Sequence, residues 1–217
     1  RYKILSNYAI QNNIKIIFTA HHEDDQIETL YMRYINNSDW ISMLGIRSTY
    51  GIIKRPFLGI SKKILLEYVE NKKLSWVDDL TNYDTRFTRN KVRLEILPNE
   101  ILKNKYLKND LMNISKQSYS RYEKLVKNIK VYINENFKKN NKFYYISNNI
   151  TQLFSKDEIK LFYQLFISMK CNYITKNTSK HWSNLYQFIC CGKPGTMFYI
   201  DTNIVIYMDR KNHFLMQ

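Results

Sequence analysis

Between Thr19 and Thr29 the chain reads TAHHEDDQIET, which sets Glu23, Asp24, Asp25 and Glu28 beside His21 and His22 within eight residues. Like charges this close repel, so a chain of net charge +15 needs a reason to gather them. Two chemical reasons present themselves: holding something cationic, or moving a proton. On a helix starting near His21, an advance of about 100° per residue brings His21, Asp25 and Glu28 within about 60° of one another. Ile27, Leu30, Tyr31 and Tyr34 then occupy the opposite face, where they can pack on a sheet. The plainer reading is a capped, solvated first turn, because the helix dipole stabilises acids at an N-terminus by about 0.3–1 kcal/mol. That reading leaves the two histidines unexplained.

A second group lies in TNYDTRFTRNKVRLEILP, residues 81–98. On a helix, Arg86, Arg89 and Arg93 share one ridge, with Asn90 at its edge. Guanidiniums so arrayed suit phosphate oxygens, which arginine binds through two parallel N–H bonds. Salt bridges to Asp78, Asp79, Asp84 and Glu95 are the bland alternative. Lys54 and Arg55, stiffened by Pro56, add two cations in an extended segment.

The elements that must position these groups alternate. Tyr2–Asn12 has helical apolar spacing, Ile14–Ala20 (IKIIFTA) is a short β-branched run typical of a buried strand, and a helix follows from about Glu23 to Ile35. Helix, strand and helix in this order predict an α/β, doubly wound parallel sheet, in which ligands bind at the carboxyl ends of strands. TAHHEDD occupies such an end. Gly51–Phe57 reads as extended; Ser61–Lys73 reads as an amphipathic helix using Ile64, Leu65, Tyr68 and Val69, with Ser61 as its cap. A further helix is expected over Thr85–Leu97, stopped by Pro98. Beyond it, the three-and-four spacing from Leu111 to Phe137 predicts a long helix with one buried stripe. A polar KKNNK break, FYYI, helices over Lys156–Met169 and Ser179–Cys191, and a strand-like tail complete the chain. The expected division is at Pro98, giving domains 1–98 and 99–217.

Charge follows the same division. Residues 1–98 carry 15 basic and 11 acidic side chains, and residues 99–217 carry 19 and 8. An excess concentrated in one half points to a polyanionic partner, nucleic acid before membrane; a lysine-rich solvated surface is the competing reading. Cys171, Cys190 and Cys191 form no CxxC pair and read as reduced thiols. No apolar run is long enough to span a bilayer, so no membrane role is expected.

TAHHEDDQIETLYMR, then GI…KRPF, then W..D..N.D..F.RN..R…LP resemble the tRNA(Ile)-lysidine synthetase family of PP-loop N-type ATP pyrophosphatases, over residues 1–98. The resemblance implies a PP-loop ATP pyrophosphatase domain, here partial, followed by a mainly helical, basic accessory tRNA-binding domain with a small β tail. It implies ATP and Mg²⁺ as cofactors, and tRNA(Ile) with a CAU anticodon and free L-lysine as partners. Adenylate is transferred to the wobble cytidine, and the lysine amine then displaces AMP at C2 to give lysidine. Asp25, Glu28 and His21 become the expected catalytic residues, with no metal ligand assigned to the protein beyond Mg²⁺ carried by ATP. Arg1, Asp24 and Gln26 are expected to bind lysine or ATP; Arg55, Arg86, Arg89, Asn90 and Arg93 are expected on tRNA or phosphate. Tyrosines of the basic half would stack on anticodon bases. A cytoplasmic or organellar location and a homodimer are compatible with this family.

Two departures stand out. The family's SGG.DS loop lies upstream of HHEDDQIET and is absent from a chain that begins at Arg1, so the polypeptide alone is expected not to adenylate. INNSDW (Ile35–Trp40) replaces an RGSG-like turn, although Asn36, Asn37 and Asp39 tolerate left-handed backbone. Two other readings are a PP-loop tRNA enzyme of the 2-thiolation type, whose cluster-binding cysteine pairs are missing here, and a non-catalytic tRNA-binding protein.

Overall fold

The computed structural model describes residues 2–137, 143–147, 149–171, 178–210 and 212–216, and divides them into two compact units, 1–120 and 121–217. Secondary structure is mixed, with many helices and two small sheets.

In the first unit, α1 (Tyr2–Gln11) leads into β1 (Ile17–Phe18), and α2 (Glu23–Ile35) follows with the predicted bounds. Strands β2 (Thr49–Tyr50) and β3 (Ile53–Lys54) complete a sheet of order β1-β3-β2, in which β1 and β3 are parallel and β2 and β3 antiparallel. A doubly wound parallel sheet is therefore not what these residues display. Nor is IKIIFTA a buried strand: its ladder is two residues long and Phe18 is 66% exposed, because among the described residues β1 has a bonded neighbour only in β3. The apolar face of α2 packs elsewhere than expected. Ile27, Leu30 and Tyr31 join Met43, Val92, Leu97 and Leu111 in a helical core, while Tyr34 stays exposed.

Helix α3 (Lys62–Asn71) begins as predicted, with Ser61 Oγ accepting from the Ile64 N–H at 3.4 Å. Its apolar stripe is only half covered: Leu65 and Val69 are partly buried, while Ile64 and Tyr68 are exposed. The expected stop at Pro98 also fails. Helix α4 (Thr88–Lys91) passes through a π-helical segment, Val92–Ile96, directly into α5 (Leu97–Lys103). The Leu97 N–H reaches back five residues to the Val92 carbonyl, so the ladder has already slipped where Pro98 withholds its N–H. Helix α6 (Leu107–Asn136) then starts by burying Leu111, and the first compact unit runs on along it to Ser120.

The second unit holds the rest of α6, where Ile129, Ile133 and then Phe137 are buried at the predicted spacing. The KKNNK break lies outside the described residues. Strand β4 (Phe143–Ser147), α7 (Ile150–Leu153), α8 (Lys156–Cys171), α9 (Ser179–Cys191), β5 (Met197–Asp201), β6 (Ile204–Met208) and β7 (Asn212–Met216) follow. The sheet is antiparallel throughout, in the order β4-β7-β6-β5. Its covered face meets an aromatic core containing Phe162, Tyr163, Phe166 and Trp182. All three cysteines are free, and no described helix is long and apolar enough to cross a membrane.

Candidate substrate site

The acidic stretch folds as a helix start because its own side chains satisfy the open N–H groups. His22 is the N-cap of α2: its Nδ1 accepts from the Asp25 N–H at 3.4 Å, and Asp25 Oδ2 accepts from the His22 N–H at 3.1 Å. This reciprocal box leaves the aspartate's other oxygen free to turn inward. His21 precedes the helix, with Nδ1 3.0 Å from Thr19 Oγ1. Asp24 turns the other way and accepts from the Lys62 N–H at 2.7 Å, tying the start of α3 to the start of α2.

The arginines answer the carboxylates. Arg89 donates through Nε to Glu28 Oε2 at 3.0 Å and through Nη2 to Asp25 Oδ1 at 3.0 Å. Arg93 donates through Nε to Glu28 Oε1 at 2.6 Å and through Nη2 to Glu28 Oε2 at 3.0 Å, with Asp25 Oδ1 at 3.4 Å. Two acids and two guanidiniums thus form one charge-balanced knot. Its centre is Glu28, whose side chain is 4% exposed. The hydrogen bonds to Glu28 push the Arg93 guanidinium above its ordinary range. Charge-assisted forks of this kind are strong and directional, and removing one member strands the others. Arg89 on α4 and Arg93 in the π-helical segment are four residues apart, so their side chains leave the same face toward one glutamate.

Of the other expected residues, Gln26 is 4% exposed and spends its amide internally. Nε2 donates to the Leu44 carbonyl at 3.3 Å, and Oε1 accepts from the Ile46 N–H at 2.6 Å. Gly45 between them has φ +73°, and a Cβ there would lie 2.4 Å from Gln26 Nε2. Asn90 Nδ2 donates to the Thr81 and Asp84 carbonyls, holding the preceding loop. Arg55 is buried and donates to the Arg47 carbonyl at 2.6 Å. Arg86 leaves the ridge altogether: it lies before α4, exposed, with Nη2 2.7 Å from Asp84 Oδ2. Asn37 takes the positive φ that the INNSDW turn requires. Arg1 lies outside the described residues.

His22, Asp24, Glu28 and Arg93 line a cleft of about 910 Å³ between α2, α3 and α5. Lys62, Glu67, Glu70 and Lys108 contribute further charge, over an apolar floor that includes Ile27, Leu97 and Pro98. Lys108 Nζ lies 3.9 Å from Asp24 Oδ1. Sequence reading missed Glu67, Glu70 and Lys108, whose spacing carries no signal; they reach the cleft only because α3 and α6 fold beside α2. Among the described residues, no cluster of three or more His, Cys, Asp or Glu side chains could hold a metal ion.

A family model described as a PP-loop domain matches residues 1–100. The chain is 34% identical over 115 residues to a tRNA(Ile)-lysidine synthase of Bacteroides thetaiotaomicron, covering 53% of this chain and 27% of that protein. It is 37% identical over 98 residues to one of Treponema denticola, covering 45% and 21%. The similarity to one of Wigglesworthia glossinidia brevipalpis runs over 168 residues at 32% identity, covering 75% of this chain and 40% of that protein. That alignment is longer than the PP-loop match, so the likeness extends past residue 100. In each case the chain spans well under half the length of the relative.

Proposed function

Residues 1–100 belong to the PP-loop domain of the tRNA(Ile)-lysidine synthase family, and from that membership we propose that the protein acts in tRNA modification. The reaction proposed is ATP-dependent ligation of lysine to C2 of the wobble cytidine of tRNA(Ile) with a CAU anticodon. The C2 oxygen of the cytidine takes adenylate from ATP and pyrophosphate leaves. The amine of lysine then forms the bond to C2, AMP departs with the oxygen, and the amine's surplus proton goes to a carboxylate. ATP brings Mg²⁺ with it as part of the substrate, and His21 is the residue proposed to approach that ion.

The observation that supports this reading is the convergence of DDQIET and TRNKVR on one knot at the wall of a charged cleft. Asp25 and Glu28 already satisfy two arginines, and of the two Glu28 lines the cleft, where its carboxylate would face the ammonium. Asp24, at the cleft's edge between His22 and Lys108, is the carboxylate of DDQIET that neither Arg89 nor Arg93 bonds, and we assign it to lysine binding. Arg93, part of the same wall, is proposed to steady the departing phosphate. The parallel pairing of β1 with β3, followed by α2, supports placing this site past the carboxyl end of β1.

The test is transfer of labelled lysine to tRNA(Ile) by the complete gene product with ATP. Incorporation that requires ATP and releases AMP supports the assignment. Sulfur incorporation, or tRNA binding without lysine transfer, contradicts it.

A further inference from the structure

The two carboxylates that α2 gives to the cleft are held in different ways. Asp24 and Glu28 both line it and stand four residues apart, close to one helical turn, or about 6 Å along the axis. Glu28 is committed to Arg89 and Arg93. Asp24 spends one oxygen on backbone: Oδ2 accepts from the Lys62 N–H at 2.7 Å, while Oδ1 lies 3.9 Å from Lys108 Nζ. That separation is too long for a hydrogen bond, so the two groups attract without closing on each other. Lys108 is half-exposed and lines the same cleft. Of the other cations there, Arg93 already points its N–H groups at Glu28, and Lys63 lies 3.8 Å from Glu67.

We propose, on the footing of lysine transfer in this cleft, that Lys108 fixes which end of the amino acid lies where. Its ammonium takes the α-carboxylate, Asp24 Oδ1 takes the α-ammonium, and the side-chain amine is thereby directed toward Glu28. Free lysine carries two amines, and carboxylates alone cannot tell them apart. Its own carboxylate marks only one end, so a cation standing beside Asp24 is what distinguishes the two. A zwitterion set across the Asp24–Lys108 gap gives each group a partner at bonding distance, in charge-assisted bonds stronger than the loose pair they replace. The aliphatic stem can then lie on Ile27 and Leu97, which line the same cleft. Lys108 is thus a residue of substrate selection, favouring an amino acid over a diamine.

The experiment uses the complete gene product with tRNA(Ile) and ATP, and measures labelled lysine transfer with cadaverine, which is lysine without its carboxylate, as competitor. Lys108→Met should raise KM for lysine at least about 10-fold and lower kcat by no more than about 3-fold, because a contact made before the reaction is lost. The inhibition constant of cadaverine should stay within about 2-fold of the parent's, since it has no carboxylate to lose a partner. Lys108→Arg keeps the charge and should return KM for lysine to within about 3-fold of the parent's. Equal weakening of lysine and cadaverine in the methionine form overturns the proposal, because it leaves Lys108 only a part of the cleft's shape. Lysine transfer with KM unmoved in that form overturns the role of Lys108 alone, whereas a parent protein that transfers no lysine overturns the reaction and this role together.

Discussion

Glu28 is where the acidic and basic stretches close on each other, and its two partners make its removal costly. Glu28→Gln leaves Arg89 and Arg93 sharing a neutral acceptor, and should lower stability by about 2–3 kcal/mol in urea unfolding. Combining it with Arg93→Gln should cost less than the sum of the single changes, because the second change removes a cation the first has stranded. Raising pH should not release the knot. The Arg93 guanidinium is raised by Glu28, so its contribution is complete below the ordinary guanidinium value and disappears only as pH climbs through the higher folded value, beyond working conditions. Asp25→Asn in the complete enzyme should lower lysine transfer at least about 100-fold while tRNA binding persists; unchanged turnover would remove this residue from the chemistry.

Among the elements, α8 offers a titration with a defined direction. Burial pushes the Glu158 carboxyl up, but the Ser155 N–H at 3.0 Å and Arg121 at 2.9 Å outweigh it and hold the carboxyl below its ordinary value. The stability this provides is present above the unfolded value near 4.5 and is lost as pH falls through the lower folded value. Glu158→Gln should therefore cost about 1 kcal/mol at neutral pH and nothing in strong acid, read by urea unfolding at each pH. Helices α2, α6, α8 and α9 were legible in the sequence because caps and three-and-four spacing are local. The partners of those helices were not. Arg89 and Arg93 lie 61 and 65 residues from Glu28, and no spacing rule reports that distance. Pro98 misled for a related reason: it ends an ordinary α-helix, and the preceding π turn had no sequence mark. The α3 stripe was read correctly as amphipathic, yet Ile64 and Tyr68 on it stay exposed, since periodicity identifies a face and not what meets it.

For the whole molecule, charge is divided between a first unit that balances much of its own and a second unit of +9. If that excess grips RNA phosphates, tRNA affinity should fall with a log–log salt slope of several units. A flat response would mark the lysines as solvated surface. The central claim is that this chain serves in making lysidine, and it is tested most directly by mass spectrometry of nucleosides from tRNA(Ile) bearing the CAU anticodon. Cells depleted of the protein should lose lysidine and accumulate cytidine at the wobble position, and restoring the parent gene, but not its Asp25→Asn form, should bring lysidine back. Undiminished lysidine in the depleted cells would contradict the account.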